Sequence, residues 1–332
     1  MNIVILGLSL SSSWGNGHAT TFRALIRGLA ALGHRVLFLE RDVPWYTANC
    51  DLPEPDFCTL SYYRSLDDLG RFRDAIAAAD AVMVGSYVPE GVAVIDRLFE
   101  WRPDGVFFYD IDTPVTLARL RRGEEEYLTA GQIPLFDTYF SFAGGPTLTT
   151  LEDEFGAARA APLYCAVDEG RYRSTGEAPR WDLGYLGTYS DDRQPALERL
   201  LLEPARRLPT RRFVVAGPMY PDTIDWPANV DRIEHLPPAA HASFYSRQRF
   251  TLNITRADMV AVGWSPSVRL FEAAATGCPV VSDGWAGLDE LFRPDREIVI
   301  AENADDVLRA VREWPAAIMS ARVRFRVNRL AA

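Results

Sequence analysis

The sequence predicts an α/β protein built from two parallel-sheet domains, and three observations support this fold class. Short apolar runs typical of buried parallel strands alternate with stretches of helical periodicity along most of the chain. At residues 249–292 an apolar strand, a polar loop, a helix and a second strand follow one another. The length of 332 residues also suffices for two medium domains, each with its own core.

The composition narrows the class of function. Hydrophobic content of 48% and charged content of 24% are ordinary globular values, while the net charge of −10 argues against general binding of nucleic acid. All 35 basic residues are arginine, which a codon bias toward arginine would also explain. The absence of lysine excludes a P-loop lysine, a pyridoxal Schiff base and a lysine general base. Phosphate charge must therefore be met by arginine or by backbone amides.

The cysteines and the amino end predict the compartment. Cys50, Cys58, Cys165 and Cys278 lie far apart without metal-like pairing, and the chain has only four histidines. We therefore expect a reduced, cytoplasmic protein without structural zinc or another bound metal. The first apolar run, residues 3–10, is too short for a membrane span and has no basic leader, so no signal peptide is expected.

The amino end predicts a strand at residues 2–10, a glycine loop, a helix at about residues 19–32 and a second strand at residues 34–40. This opening is Rossmann-like, but its glycines do not spell G-x-G-x-x-G, which disfavours a dinucleotide cofactor. Gly15 and Gly17 would let the backbone come close to a ligand.

His18, at the end of the glycine loop, has two interpretations. In the functional interpretation, His18 is a general base toward the hydroxyl of an acceptor substrate or forms a hydrogen bond with a donor substrate. In the structural interpretation, it is a polar helix cap. The sequence leaves both interpretations open.

A second cluster of polar residues follows the predicted strand at residues 105–109. Asp110 and Asp112 stand at its carboxyl end, where ligands collect in open parallel sheets. Either carboxylate could remove a proton from the hydroxyl of an acceptor substrate, or could orient His18. Alternatively, Asp112 caps the following helix and Asp110 pairs with an arginine such as Arg119. We weigh the two interpretations equally.

The helix within residues 249–292 is predicted to start at Ser265-Pro266-Ser267, with serine as its N-cap and proline in its first turn. Its amino-terminal amides would form an anion site, phosphate above all. Glu272 lies about two turns further on, where a carboxylate suits ribose hydroxyls. Arg256 and Arg269 are candidates for countering a leaving diphosphate, since a guanidinium can bind phosphate in bidentate fashion. The alternative for each is a surface ion pair.

Three segments resemble the GT-B glycosyltransferases, in particular the CgeB-like branch related to spore maturation proteins. They read SSSWGNGHATTFRAL, YDIDTPVTLARL and SPSVRLFEAAATGCPVVSD. The resemblance implies two Rossmann-like domains that face each other across a central cleft, with an acceptor-side domain at residues 1–169 and a donor-binding domain at residues 170–315. It also implies that residues 316–332 form a helix that crosses back to the first domain, although their arginines could instead mark an acidic-lipid face.

The resemblance also implies site residues. Gly187 and Thr188 would approach the donor diphosphate, together with Ser265, Ser267 and an arginine. In many retaining relatives two glutamates, eight positions apart, bracket the start of the donor helix. Glu272 matches the second of these positions, but Trp264 stands at the first.

The function implied is a metal-independent glycosyltransferase of the hexosyltransferase type (class EC 2.4). Its donor would be a nucleotide-diphosphate sugar, with a UDP-sugar favoured, and no cofactor would be obligatory. The acceptor is unidentified and could be a glycan, a lipid or a small metabolite. We expect no nucleic-acid partner and at most peripheral membrane contact. Two alternatives remain open: a nucleotide-sugar epimerase on the same fold, and a non-catalytic, nucleotide-sugar-binding or coat-associated protein.

Overall fold

The structure is a computed structural model, which describes residues 1–14, 17–101 and 103–313. The chain divides into two compact units, Met1–Ala166 and Val167–Ala332. Each unit contains one parallel β-sheet flanked by helices, so the predicted pair of Rossmann-like, α/β domains is confirmed. The predicted crossing helix at residues 316–332 lies outside the described residues.

The first sheet has the strand order β3-β2-β1-β4-β5-β6-β7, and its strand pairs are parallel. The strands are β1 (Asn2–Gly7), β2 (Arg35–Arg41), β3 (Thr59–Tyr63), β4 (Ala81–Gly85), β5 (Val106–Asp110), β6 (Thr138–Ser141) and β7 (Ala160–Pro162). The direction of strand succession reverses between β1 and β4. The loops that follow these two strands therefore border the crevice where open α/β sheets bind ligands.

The helices of the first unit connect successive strands of this sheet. They are α1 (His18–Ala31), α2 (Pro44–Ala48), α3 (Leu66–Leu69), α4 (Arg73–Ala77), α5 (Gly91–Trp101), α6 (Thr113–Arg121) and α7 (Pro146–Asp153), with 3₁₀ turns at Gly70–Phe72 and Ala130–Leu135. Helix α1 buries Phe22 and Ile26 against the sheet, where Phe22 meets Phe38 of β2 edge to face. This packing fixes the amino end of α1 beside the crevice.

The second sheet has the strand order β10-β9-β8-β11-β12-β13, again with parallel pairs. The strands are β8 (Trp181–Leu186), β9 (Phe213–Ala216), β10 (Val230–Ile233), β11 (Gln248–Asn253), β12 (Val280–Ser282) and β13 (Ile298–Ile300). Here the succession reverses between β8 and β11. The loops after these two strands border the second crevice.

The helices of the second unit are likewise placed between its strands. They are α8 (Gln194–Leu197), α9 (Glu203–Arg207), α10 (His241–Ser246), α11 (Ala257–Val262), α12 (Val268–Thr276), α13 (Leu288–Leu291) and α14 (Ala304–Glu313). A wider helical turn at Glu198–Leu202 joins α8 to α9, and a 3₁₀ turn at Pro238–Ala240 precedes α10. Helix α12 ends at Gly277, whose φ of 77° is left-handed, as the sequence predicted.

No helix among the described residues is both long enough and apolar enough to span a membrane.

Candidate functional site

The loop that leads into α12 lies at the carboxyl ends of β8 and β11. The helix begins at Val268, with Ser267 as the N-cap residue, and no side chain caps it. The prediction that a serine side chain caps the helix is therefore wrong. The Ser267 hydroxyl donates to Asn253 Oδ1 at 2.7 Å instead, and the Ser265 hydroxyl donates to the Gly263 carbonyl at 2.8 Å. Both serines stabilise the loop instead. The first-turn amides of α12 receive no serine oxygen and keep their affinity for an anion.

Arg269 extends from the first turn of α12 toward the tips of both strands. Its Nε donates to the Leu186 carbonyl at 2.6 Å, and its Nη1 donates to Asn253 Oδ1 at 2.9 Å. The guanidinium lies over the Tyr185 ring, 4.9 Å from its centroid. The side chain is buried, and in the part of the chain that the structure describes its hydrogen bonds go to neutral acceptors. Hydrogen bonds to neutral acceptors do not neutralise the guanidinium charge, so this buried cation can bind an anionic ligand.

Gly187 forms the turn after β8 and meets the turn after β9. Its amide donates to the Ala216 carbonyl at 2.9 Å, and its carbonyl accepts a hydrogen bond from the Tyr220 hydroxyl at 3.0 Å. A Cβ atom at Gly217 would lie only 2.0 Å from the Gly187 oxygen. Thr188 accepts, through its carbonyl, a hydrogen bond from Arg193 at 2.8 Å. The two glycines thus allow two loops to touch beside Arg269.

Glu272 lies one turn beyond Arg269 and faces α10 instead of the strand tips. Its carboxylate Oε2 accepts a hydrogen bond from the Tyr245 hydroxyl at 2.9 Å and lies 3.9 Å from His241 Nδ1. The glutamate is buried, and burial lowers the pKa of His241, which favours the neutral imidazole beside it.

In the first unit, His18 opens α1 at the border of the first crevice. Its Nε2 lies 3.6 Å from Asp112 Oδ2, and its ring meets Tyr87 edge to face with centroids 5.5 Å apart. His18 is buried, and its Nδ1 has no hydrogen-bond partner among the described residues. Gly17 is the N-cap residue of α1, and no side chain supplies a cap. Gly15 lies outside the described residues.

Asp110 has no exposed surface. Its carboxylate accepts hydrogen bonds from the Tyr139 hydroxyl at 2.6 Å, the Thr116 hydroxyl at 2.9 Å and the Asp112 amide at 3.1 Å. Burial raises the pKa of Asp110 to about 6, although these hydrogen bonds favour the ionised form. Asp110 thus holds together the end of β5, the start of α6 and β6.

The alternative interpretation of the two aspartates is wrong in both parts. Asp112 is the N-cap residue of α6, but its side chain makes no capping hydrogen bond. Arg119 forms its ion pair with Glu126 instead of with Asp110.

Sequence reasoning missed Glu40, which fixes the base of the glycine loop. This buried carboxylate, in β2, accepts hydrogen bonds from the Leu10 and Ser11 amides at 2.7 and 2.9 Å and from the Ser11 hydroxyl at 2.6 Å. The signal was present in the sequence, since an acidic residue at the end of a predicted strand and a serine-rich loop after the neighbouring strand are brought to one edge of the sheet.

Comparisons with known proteins agree with the fold. Residues 193–325, most of the second unit, match the family model described as "Glycosyl transferase-like". No curated protein matches the chain. The sucrose-phosphate synthase of Thermosynechococcus elongatus is 13% identical, with a TM-score of 0.66 over 99% of this chain and 95% of that chain. Its likeness shows the GT-B fold.

Two further solved structures cover the whole chain. HepE of Anabaena, in complex with UDP and glucose, is 11% identical with a TM-score of 0.68, over 100% of this chain and 94% of that chain. AviGT4, a glycosyltransferase involved in avilamycin A biosynthesis, is 19% identical with a TM-score of 0.64, over 100% of this chain and 93% of that chain. Fold and family model agree. The chain has the GT-B fold, and most of its second unit is similar to the glycosyl transferase-like family.

The two candidate arginines of this GT-B chain have different surroundings. Arg269 is buried at the strand tips, whereas Arg256 is exposed and serves as the N-cap residue of α11. Charges that are exposed to water interact weakly, so Arg269 is better placed than Arg256 to bind an anionic ligand.

Trp264 precedes the loop serines of this GT-B chain in a rare backbone conformation, with a φ of 43°. Its amide donates to the Ala286 carbonyl at 2.7 Å, and its indole ring packs on Gly287, where a Cβ atom would lie 2.4 Å from the ring. Trp264 therefore connects the loop that leads into α12 with residues 286–287, through one hydrogen bond and the packing of its ring.

Among the described residues, no group of three or more His, Cys, Asp or Glu side chains is placed to hold a metal ion.

Proposed function

We propose that this protein transfers a hexosyl group from a UDP-sugar to an acceptor, within the CgeB-like branch of the GT-B glycosyltransferases. The second unit binds the donor, with the boundary of the donor domain near residue 170, and the first unit binds the acceptor. Several solved structures with the same fold are complexes with UDP or UDP-glucose, which supports UDP as the nucleotide. The acceptor class stays open among glycans, lipids and small metabolites.

One observation carries the proposal: Arg269 is buried beside an uncapped helix amino end at the crevice of the second sheet. When a sugar leaves a nucleotide diphosphate, negative charge develops on the β-phosphate. A guanidinium and oriented amides that are already in place stabilise this charge without reorganisation. Since both carry positive charge toward the phosphate, no metal ion is required for this step. Glu272 binds the ribose, and the backbone at Gly187 and Thr188 lies close to the diphosphate.

On the acceptor side, we propose that His18 removes the proton from the acceptor hydroxyl. Asp112, 3.6 Å from Nε2, stabilises the imidazolium that forms. Asp110 acts at a distance, since it fixes the Asp112 backbone through its hydrogen bond with the Asp112 amide. If the sugar is transferred with retention, no base is required, and His18 and Asp112 position the acceptor instead.

The donor site is tested by titration calorimetry with UDP and uridine. Arg269→Gln removes a charged donor, which is worth about 1.5–3 kcal/mol, so the affinity for UDP should fall by about 10- to 150-fold while that for uridine changes little. Arg199→Gln is the matched control, because the exposed Arg199 also donates from Nε to a backbone carbonyl, at 2.8 Å. Parallel titrations with GDP, ADP and TDP identify the nucleobase that the site prefers. Equal losses for UDP and uridine would remove Arg269 from the diphosphate site.

The reaction is tested with UDP-glucose in the absence of any acceptor, so that water accepts the sugar. Slow release of UDP and glucose supports a transferase, and His18→Gln should reduce this rate without changing the affinity for UDP. Conversion to an epimeric UDP-sugar without UDP release would instead establish the epimerase. Tight binding of UDP-glucose with no product, also with a panel of acceptors, would establish a binding protein.

A further inference from the structure

Glu272 is a buried carboxylate whose partners carry no permanent positive charge. The Tyr245 hydroxyl donates to Oε2 at 2.9 Å, and burial together with the nearby carboxylate raises the pKa of the Tyr172 hydroxyl. His241 lies 3.9 Å away, and burial lowers its pKa. A carboxylate buried among neutral hydroxyls keeps strong acceptor capacity for a further hydroxyl ligand.

The side chains around Glu272 are themselves fixed. Tyr172 and Tyr245 are almost fully buried, and the Tyr172 hydroxyl is hydrogen-bonded to His241 Nδ1 at 3.2 Å. His241 Nε2 in turn lies 3.4 Å from the Leu236 carbonyl, within hydrogen-bond distance. The carboxylate therefore has a set orientation that depends on residues from three segments: the start of the unit, the loop before α10, and α10 itself.

A fixed carboxylate discriminates between ligands more strongly than a mobile one. A vicinal diol can donate two hydrogen bonds to a carboxylate whose plane is already oriented. A ligand that lacks one hydroxyl leaves a buried, charged oxygen short of a partner, and this penalty is large. A carboxylate that can rotate recovers part of the loss through other donors or water.

We propose that Tyr245, with Tyr172 and His241, is a positioning residue that orients Glu272 toward the ribose diol, so that the site selects ribonucleoside diphosphates over 2′-deoxyribonucleoside diphosphates. This inference rests on the proposed function, because it takes Glu272 to be the ribose ligand. It adds the class of nucleotide that the site accepts and the residues that enforce this choice.

The experiment measures the dissociation constants of UDP and 2′-deoxy-UDP by titration calorimetry, and the readout is their ratio. For the wild type the ratio should be about 10 or more, as expected for a hydrogen bond to a charged group. Tyr245→Phe should reduce this ratio at least about threefold, Tyr172→Phe should reduce it less, and Glu272→Gln should bring it close to 1. Tyr63→Phe is the matched control, since Tyr63 is a fully buried tyrosine of the first unit, and it should leave the ratio unchanged.

Circular dichroism and thermal unfolding establish that each variant is folded, and Tyr172→Phe carries the test if Tyr245→Phe is not. A wild-type ratio near 1 would overturn the inference. So would equal weakening of both ligands in Tyr245→Phe, because a merely structural tyrosine would act on both alike. If the wild type binds no UDP, the proposed function fails together with this inference. If UDP binds and the ratio of dissociation constants is unchanged in the tyrosine variants, only the inference fails.

Discussion

Alanine in place of Gly217 would put a methyl group into the junction between the loops that follow β8 and β9, the first of which borders the second crevice. Gly217 has a φ of 142°, a conformation that residues with side chains rarely adopt. The added Cβ would lie 2.0 Å from the oxygen and 2.6 Å from the carbonyl carbon of Gly187. Both of these atoms belong to the backbone, so no change of rotamer can relieve the overlap.

The cost has two parts. Backbone strain at such a φ amounts to about 1–3 kcal/mol, and forced overpacking to about 1–3 kcal/mol, so Gly217→Ala should destabilise the second unit by roughly 2–6 kcal/mol. Gly176→Ala is the matched control: its φ of 74° is also positive, but nothing lies within 4 Å of the added Cβ. We expect it to cost about 1 kcal/mol. The difference between the variants isolates the contact with Gly187.

Thermal unfolding followed by differential scanning calorimetry measures both variants, because calorimetry detects whether the two units unfold in one transition or in two. For a domain of this size about 1 kcal/mol lowers the Tm by about 2–4 °C, so Gly217→Ala should lower it by roughly 4–24 °C. The affinity for UDP should fall in Gly217→Ala and stay unchanged in Gly176→Ala. If Gly217→Ala proves no less stable than Gly176→Ala, the reasoning about the junction is wrong.

Two further predictions concern the first unit. Burial raises the pKa of Asp110 from 3.8 to about 6, so its protonation stabilises the fold below about pH 4, and this contribution is lost as the pH rises through 6. The unfolding free energy of the wild type, relative to Asp110→Asn, should therefore fall by about 3 kcal/mol between pH 3 and pH 8 in urea titrations; a constant difference would contradict this. Gly28, exposed within α1 with nothing near its Cβ position, should gain about 0.5–1 kcal/mol of stability as alanine, and a loss in urea unfolding would contradict the helix assignment.

The fold was predictable because its signals are local. The strand predicted at residues 2–10 contains β1, and the apolar strand predicted at the start of residues 249–292 overlaps β11, since strands covered on both faces must be apolar throughout. The helix predicted at residues 19–32 is α1, displaced by one residue at each end, and Gly33 follows it with a φ of 84°. Apolar periodicity and glycine stops require no knowledge of distant contacts.

The details of the candidate site were less predictable, because they depend on contacts between distant segments. The sequence context of Ser267 is that of a helix cap, yet Asn253, fourteen positions earlier, accepts its hydrogen bond. Likewise, Glu40 meets the glycine loop only because β1 and β2 are neighbours in the sheet. The placement of His18 within 3.6 Å of Asp112 joins residues from α1 and the end of β5, an arrangement that the sequence allowed but could not establish.

Helix α12 carries opposite charges three positions apart, and each takes different partners. Side chains at this spacing are neighbours on a helix surface and ordinarily attract each other. Here Arg269 reaches the strand tips through the Leu186 carbonyl and Asn253, while Glu272 is held by Tyr245 of α10. Both charges are buried and take their hydrogen bonds from neutral groups, and the burial of a charge is costly. A ligand that brings a diphosphate to one group and a diol to the other offsets this cost. The different hydrogen-bond partners of Arg269 and Glu272 are thus consistent with the nucleotide ligand that we propose.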